Sequence, residues 1–404
     1  MSRPLAFLCI ASYFKGEEFL RACKACGCTV YLITGKKLEH QAWPRESIDE
    51  IFYVDDGEGT NWNMDHVIQG LAWMMRQRKI DRIVALDDFD VEKANHLREE
   101  FRIPGMGQTT GRFYRDKLAM RMQAADSGIR VPMFTSLFHD EGINAFLQQA
   151  PGPWVIKPRS EASATGIRKV HTADEFWSVV HSLGDNRHRY LAEQYKPGHV
   201  YHVDALSVNS RVVFARASQY LNPPMDVAHG GGVFQSVICD PKGKDSKALI
   251  RMNAAVMSAF NMKYSASHTE FIKCHEDGQF YFLETSSRVG GAHLAEMVEA
   301  SSGINLWREW ARLEVAVALG EPYVLPPVRD DFAGIIVSLA RQQYPDTHDF
   351  RDAEIWWTLQ REYHVGFIVK SPKQARILEL MEQYFHRIRE HYHASAPVPD
   401  KPSA

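Results

Sequence analysis

One-sided charge is missing from this sequence. Its 47 lysines and arginines nearly balance 50 aspartates and glutamates, for a net charge of −3. That excludes the strongly basic face of a general nucleic-acid binder or a membrane-surface protein, although a local basic pocket stays open. Long apolar runs are missing too. The run at residues 5–11 is too short to cross a bilayer and reads as a first buried strand. No signal peptide or transmembrane segment is evident, so a cytoplasmic location is expected. Cysteines are few, six in all. Cys23, Cys26 and Cys28 crowd together, but no second Cys-x-x-Cys half follows at zinc-ligand spacing. They fall where a helix gives way to a strand around Gly27, and small residues packing one against the other account for them; no disulfides are required. Two catalytic signatures are also missing. Without Gly-x-x-x-x-Gly-Lys-Ser/Thr the chain is no P-loop NTPase, and without Gly-x-Ser-x-Gly no serine nucleophile stands out.

What is present is ordinary for a folded protein. Hydrophobic residues make up 45% and charged residues 24% of a 404-residue chain, enough for two or three domains with substantial cores. Residues 4–11, 29–34, 51–54 and 82–86 read as strands, alternating with helices at 16–26, 64–77 and 91–101. Strand–helix alternation implies a parallel, doubly wound sheet, so residues 1–105 form a Rossmann-like domain. The rhythm then changes. Residues 110–127 read as one helix, and 154–157, 167–170 and 190–194 as strands with a helix at 173–182. Residues 200–207, 211–220, 267–273 and 279–284 alternate as antiparallel strands do, with helices at 248–260 and 304–319. A proline-rich stretch at 322–327 marks a boundary before strands within 333–369 and a helix at 372–391. The fold class is therefore α/β followed by α+β, with a tail at 393–404 expected to be disordered.

Several short stretches carry chemistry. Lys157 ends an apolar strand and precedes a loop, residues 159–166, rich in small residues and closed by Gly166. Burying a lysine is costly unless it meets an anion, and such a loop brings backbone N–H groups near phosphate oxygens. Lys117 lies in a charged helix upstream; Glu193, Gln194, Tyr195 and Lys196 end a strand in a turn that can present its backbone to an adenine edge. Glu270 and Glu284 sit on adjacent strands joined by a hairpin turn at 276–278. Two inward carboxylates repel unless a cation lies between them, and magnesium takes carboxylate and phosphate oxygens together. Taken singly, each stretch also fits a plain hairpin, a charge run or a pair neutralised by Arg288 or Lys273.

The order of these pieces, ending in Ser287-Arg288-Val289-Gly290-Gly291, resembles the ATP-grasp superfamily over residues 90–320, with the first domain matching its pre-ATP-grasp domain. Within it the chain looks most like carboxylate–amine ligases that join amino acids, related to biotin carboxylase and carnosine synthase. The resemblance implies a pre-ATP-grasp domain at 1–105, an ATP-grasp domain at 106–325 with a mobile lid at about 125–190, and a C-terminal α+β region at 326–392. It implies that Lys117 and Lys157 hold ATP phosphates under the loop carrying Ser160, Ser163, Thr165 and Gly166. Glu193, Gln194, Tyr195 and Lys196 would frame the adenine, with Glu193 or His199 at the ribose. Glu270, Glu284 and Ser286 would hold Mg2+, or Mn2+ in its place. Arg288, with Lys157 the expected catalytic residue, would neutralise the acyl-phosphate or substrate carboxylate, and Gly290 and Gly291 would offer backbone beside it. His229, Gly230 and Gly231, in a run of three glycines, would line or close over the substrate.

Two positions depart from the family pattern. Gly198-His199-Val200 lacks the usual Gly-x-Glu acid, and Glu284-Thr285-Ser286 replaces Glu-x-Asn. The expected reaction is ADP-forming ligation of a small carboxylate to an amine through an acyl-phosphate. The alternatives are a non-amine acceptor or an inactive ATP-binding regulatory protein. Beyond small substrates the expected partner is a second copy, meeting through the first domain or the 372–391 helix.

Overall fold

The computed structural model describes residues 3–55, 62–161, 165–222 and 231–395. Its first unit is the parallel sheet β1 (Ala6–Ala11), β2 (Thr29–Gly35), β3 (Glu50–Val54) and β4 (Arg82–Ala85), in the order β3-β2-β1-β4. Every residue of β1 is buried, which explains why it reads as an unbroken apolar run rather than an alternating one. Cys9, Cys23 and Cys28 are buried and unbridged in the core beneath it, as packing residues.

A second, antiparallel sheet follows: β5 (Phe134–Ser136), β6 (Trp154–Pro158), β7 (Arg168–Val170) and β8 (Tyr190–Gln194), ordered β5-β8-β6-β7. The helices Asp140–Gln149 and Ala173–Leu183 contribute Ile143, Phe146, Phe176 and Val180 to a core of its own, so this small sheet is a separate packing unit.

The third sheet has eight antiparallel strands. They are β9 (Gly198–Val208), β10 (Arg211–Tyr220), β11 (Phe234–Ile238), β12 (Ser265–Cys274), β13 (Phe280–Ser286), β14 (Phe332–Leu339), β15 (Ile355–Thr358) and β16 (His364–Ser371), ordered β13-β12-β9-β10-β11-β14-β16-β15. Alternation along β9 sorts its residues to two faces. Tyr201, Val203 and Ala205 join a core with Leu249, Val256 and Met257 of the helix Lys244–Ala259 and with Met120 and Ala124. Leu206 and Val208 face the other way, into a core shared with the first unit and the helices Leu294–Ser302 and Leu306–Leu319. His202 and Asp204 lie on that second face.

Three expectations change. The C-terminal strands do not stand apart as a region of their own: β14 pairs with β11, and the helix Gln374–His391 covers the extension through Ile377, Leu380, Met381 and Tyr384. The single helix expected at 110–127 is broken, because Asp116 adopts extended backbone and its carboxylate accepts the Leu118 and Ala119 N–H groups, starting a fresh helix at Lys117. A helix at Leu294–Ser302 was not expected; seven of its residues are buried, and only Glu296 and Glu299 remain as a polar face by which to recognise it. Residues 396–404 of the tail lie outside the described residues. Among the described residues no helix is long and apolar enough to cross a membrane.

Candidate active site

The turn after β4 meets the end of β13 through Asp88, and Lys117 together with Lys157 of β6 acts on Glu284 of that same β13 strand. The Asp116 cap that starts the Lys117–Asp126 helix is also gripped by Arg159, whose Nε lies 2.9 Å from Oδ1 and whose terminal nitrogen bonds Oδ2. This ties the helix start to the end of β6. The Lys117 backbone N–H reinforces the tie by donating to Arg159 O at 2.8 Å. Lys117 Nζ then reaches 2.8 Å from Glu284 Oε2 and 2.6 Å from the Glu161 carbonyl. Arg115, from the same break, donates to the Ser160 carbonyl. The loop after β6 is thus anchored by Lys117 and Arg115. Gly166 closes it at φ 73°, where a side chain would be strained and would also press on Pro158 at 2.9 Å.

Lys157 points from β6 to Glu193 on β8, 2.8 Å away, and Arg121 Nε lies 2.7 Å from the other Glu193 oxygen. Burial pushes the Glu193 carboxyl up, but the charges of Arg121 and Lys157 outweigh it and hold it below the ordinary glutamate value. Burial pulls Lys157 below the ordinary lysine value despite that partner. The Glu193 carboxylate, expected at the adenine or ribose, serves here as counter-ion to two cations. Gln194 and Tyr195 already donate their N–H groups to Met133 O and Pro153 O, so neither of those donors is open to an adenine edge. The Tyr195 ring carries Lys169 Nζ at 3.6 Å from its centre, and Lys196 Nζ sits 5.0 Å above Tyr281. His199 is exposed, with its ring 4.8 Å from that of His275. Alternation places it on the face of β9 opposite His202 and Asp204, so the structure does not bring it to the carboxylates.

Glu270 and Glu284 are direct cross-strand neighbours on β12 and β13. Burial raises the Glu284 carboxyl, but Lys117 and Lys157 outweigh that and keep it below its ordinary value, hence ionised. Glu270 Oε1 accepts the Tyr220 hydroxyl at 3.0 Å. Two adjacent carboxylates, one met by a lysine and the other by a tyrosine, form a hard-oxygen donor set, which fits magnesium or manganese bridging to phosphate.

Ser286 and Arg288 are occupied by a residue the sequence reading left unassigned. Asp88, in the turn after β4, accepts the Ser286 hydroxyl on one carboxylate oxygen and Arg288 on the other. Burial raises Asp88, but the charges of Arg288 and Arg115 overcome it and hold it far below the ordinary aspartate range. Ser286, expected as a third metal ligand, here donates a hydrogen bond to Asp88 that joins the end of β13 to the turn after β4. Arg288 also donates to Val289 O at 2.8 Å, while its Nε lacks a partner among the described residues.

Behind Glu270 lies a second feature that was not foreseen. His202, Asp204 and His268 are buried on the same sheet face, with Asp204 between the two rings. Their ligating atoms lie within 4.8 Å of one another, close enough to share a cation, yet both Asp204 oxygens are already hydrogen-bonded to imidazole nitrogens. Burial works against the His268 imidazolium, but the Asp204 charge and hydrogen bond outweigh it and push His268 up to about 10. Polar residues two apart on strands of otherwise buried residues were the available signal. Ser163, His229 and Gly230 lie outside the described residues. Gly231 is described, at φ 62°. Gly290 packs on the buried cluster, whereas Gly291 has open space where a side chain would stand.

A parallel domain, a large antiparallel sheet and a small four-stranded sheet with lysines at its border constitute the ATP-grasp fold, and this chain has it. Solved structures agree. An L-amino acid ligase from Bacillus licheniformis superposes with a TM-score of 0.75 over 97% of this chain and 99% of that one, at 15% identity. N5-carboxyaminoimidazole synthetase from Staphylococcus aureus gives 0.70 over 96% and 98%, at 12% identity. The biotin carboxylase domain of Hydrogenobacter thermophilus 2-oxoglutarate carboxylase, solved with MgADP, gives 0.69 over 98% and 91%, at 16% identity. By sequence, the chain is 24% identical over 274 residues to the L-arginine-specific L-amino acid ligase of Bacillus subtilis, a match that takes in 66% of this chain and 64% of that protein. No family profile matches.

Proposed function

We propose that the protein is an ADP-forming carboxylate–amine ligase that joins small substrates, an amino acid among them, through an acyl-phosphate. The observation that carries this is the meeting of Lys117, Lys157, Glu270, Glu284 and Arg288 from separate parts of the chain around one junction. A carboxylate is a poor acyl donor because oxide would have to leave. Its oxygen attacks the γ-phosphorus of ATP, the bond to the ADP oxygen breaks, and the acyl group gains phosphate as leaving group. The amine nitrogen then attacks the acyl carbon, and phosphate departs.

Each residue has a place in that scheme. Lys117 and Lys157 bind phosphate oxygens and, on ATP binding, exchange Glu284 and Glu193 for them in part. Glu270 and Glu284 would hold Mg2+ or Mn2+, which when bound neutralises phosphate oxygens. Arg288 receives the charge on the acyl-phosphate or substrate carboxylate, and each such contact is worth ~2–4 kcal/mol by analogy with single oxyanion donors. Residues 125–190 act as a lid that excludes water from the activated acyl group, and the loop Ser160–Gly166 covers the phosphates. The similarity to amino acid ligases in both sequence and fold favours an amine as acceptor and amino acids as substrates. The domain boundary at 105 and a homodimer in the cytoplasm belong to the same proposal.

The test is release of ADP and phosphate with magnesium across pairs of amino acids and other carboxylates. The reading requires both an acid and an amine. Formation of AMP and pyrophosphate would overturn it, and nucleotide binding with no turnover on any pair would favour a regulatory protein.

A further inference from the structure

Glu270 is held by more than its place on β12. Both the Tyr220 hydroxyl, at 3.0 Å, and His268 Nε2, at 3.6 Å, address the same oxygen, Oε1. The other nitrogen of His268 lies 2.9 Å from Asp204 Oδ1. Asp204 Oδ2 lies 2.7 Å from His202 Nδ1, and His202 Nε2 lies 2.8 Å from Ser236 Oγ. Strand register builds this chain of contacts: His268 sits opposite Asp204, and Glu270 opposite His202. Asp204 and His202 are both 0% exposed. A buried polar network of this kind is tolerated only when its members satisfy one another, and apolar residues would pack the same face more simply. The backbone has been shaped around it as well. A Cβ at Gly290 would stand 2.8 Å from Asp204 Oδ1 and 2.9 Å from His268 Nδ1, so only glycine lets the turn after Arg288 lie on the pair.

We infer that Asp204 and His268 are positioning residues for Glu270. Asp204 fixes the rotation of the His268 ring. His268, with Tyr220, then fixes the Glu270 carboxylate by Oε1 and leaves Oε2 for a divalent cation. A carboxylate held in this way loses little rotational freedom on taking the cation, which is how groups behind a ligand raise metal affinity. The inference rests on the assignment of Glu270 as a cation ligand made above. It adds a role for residues that touch neither nucleotide nor substrate.

The experiment is a Mn2+ titration of the full chain in the presence of ADP, with free Mn2+ read by electron paramagnetic resonance. Metal-free ADP affinity and melting temperature are measured alongside. His268→Asn keeps an amide where Nδ1 meets Asp204 but withdraws the group facing Glu270, and Mn2+ binding should weaken ~10–100-fold. His268→Gln keeps an amide on the Glu270 side and should lose less. Tyr220→Phe, which retains the ring, should also weaken Mn2+ binding and serves if the histidine variants do not fold. Metal-free ADP affinity should stay within about twofold throughout. Equal Mn2+ affinity in wild type and in folded variants overturns the inference. So does a parallel fall in metal-free ADP affinity and melting temperature, which would mean plain structural support. Failure of the wild type itself to bind Mn2+ with ADP overturns the ligand assignment, and the inference with it.

Discussion

Replacing Glu193 with glutamine keeps the side chain's size and removes its charge. Glu193 is 4% exposed, and Arg121 beside it is 0% exposed. Arg121 and Lys157 both lose their counter-ion, and Arg121 is fully buried while Lys157 is nearly so. Taking away one partner of a buried pair costs ~3–5 kcal/mol, because the remaining charge stays buried. The Arg121 nitrogens meet Glu193 at contact distance without aligned hydrogen bonds among the described residues, so the loss here is mainly of charge compensation. Because the chain packs several cores, a single unfolding free energy is a poor readout. Amide hydrogen exchange in β6 and β8 reads the local opening directly. At 1.36 kcal/mol per decade the cost corresponds to roughly 10²- to 5 × 10³-fold faster exchange in those strands. The double variant Glu193→Gln with Arg121→Met should recover part of this, since one stranded cation is gone. Exchange in β6 and β8 unchanged within about threefold in Glu193→Gln would refute the reasoning.

Other outcomes follow from the same geometry. The Glu193 carboxyl lies below its ordinary value in the folded chain, so its contribution to stability is complete above the unfolded value of about 4.3 and disappears as pH falls through the folded one; protection of β8 amides, relative to their intrinsic exchange rate at each pH, should therefore fall on acidification, and do so less in Glu193→Gln. Asp88→Asn weakens the contact from the first domain to Arg288 and Ser286 and should destabilise their junction by ~1–3 kcal/mol, read as a lower melting temperature. Lys157→Ala and Glu284→Ala should each cost ~10²–10³-fold in phosphate release, and far-ultraviolet circular dichroism should show both still folded. Chelation of divalent cations should stop turnover, and adding back magnesium or manganese should restore it.

The sequence made the strands of the first domain and the carboxylates of β12 and β13 readable, because unbroken apolar runs and strict alternation are local patterns. Contacts made across the fold were not readable. Asp88 meets Ser286 from 198 residues away, and nothing near either residue announces the other. His199 lies on the face of β9 opposite His202 and Asp204, a separation that follows from strand parity, since one step along β9 reverses the face. Glu193 was placed at the right strand end, but its carboxylate is claimed by Arg121, which no motif marked. Asp116 broke the helix expected at 110–127 by capping a new one, and the Arg159 that locks this cap lies beyond β6. His202, Asp204 and His268 were legible as alternating positions, yet a histidine on a strand carries no sign of its partner until the register is known.

The central claim is ATP-driven joining of an acid to an amine. Product analysis of purified enzyme with ATP, magnesium and paired amino acids tests it most directly. The account predicts ADP, phosphate and amide product in equal amounts, each dependent on both substrates. AMP with pyrophosphate, or phosphate release that needs neither acid nor amine, would contradict it.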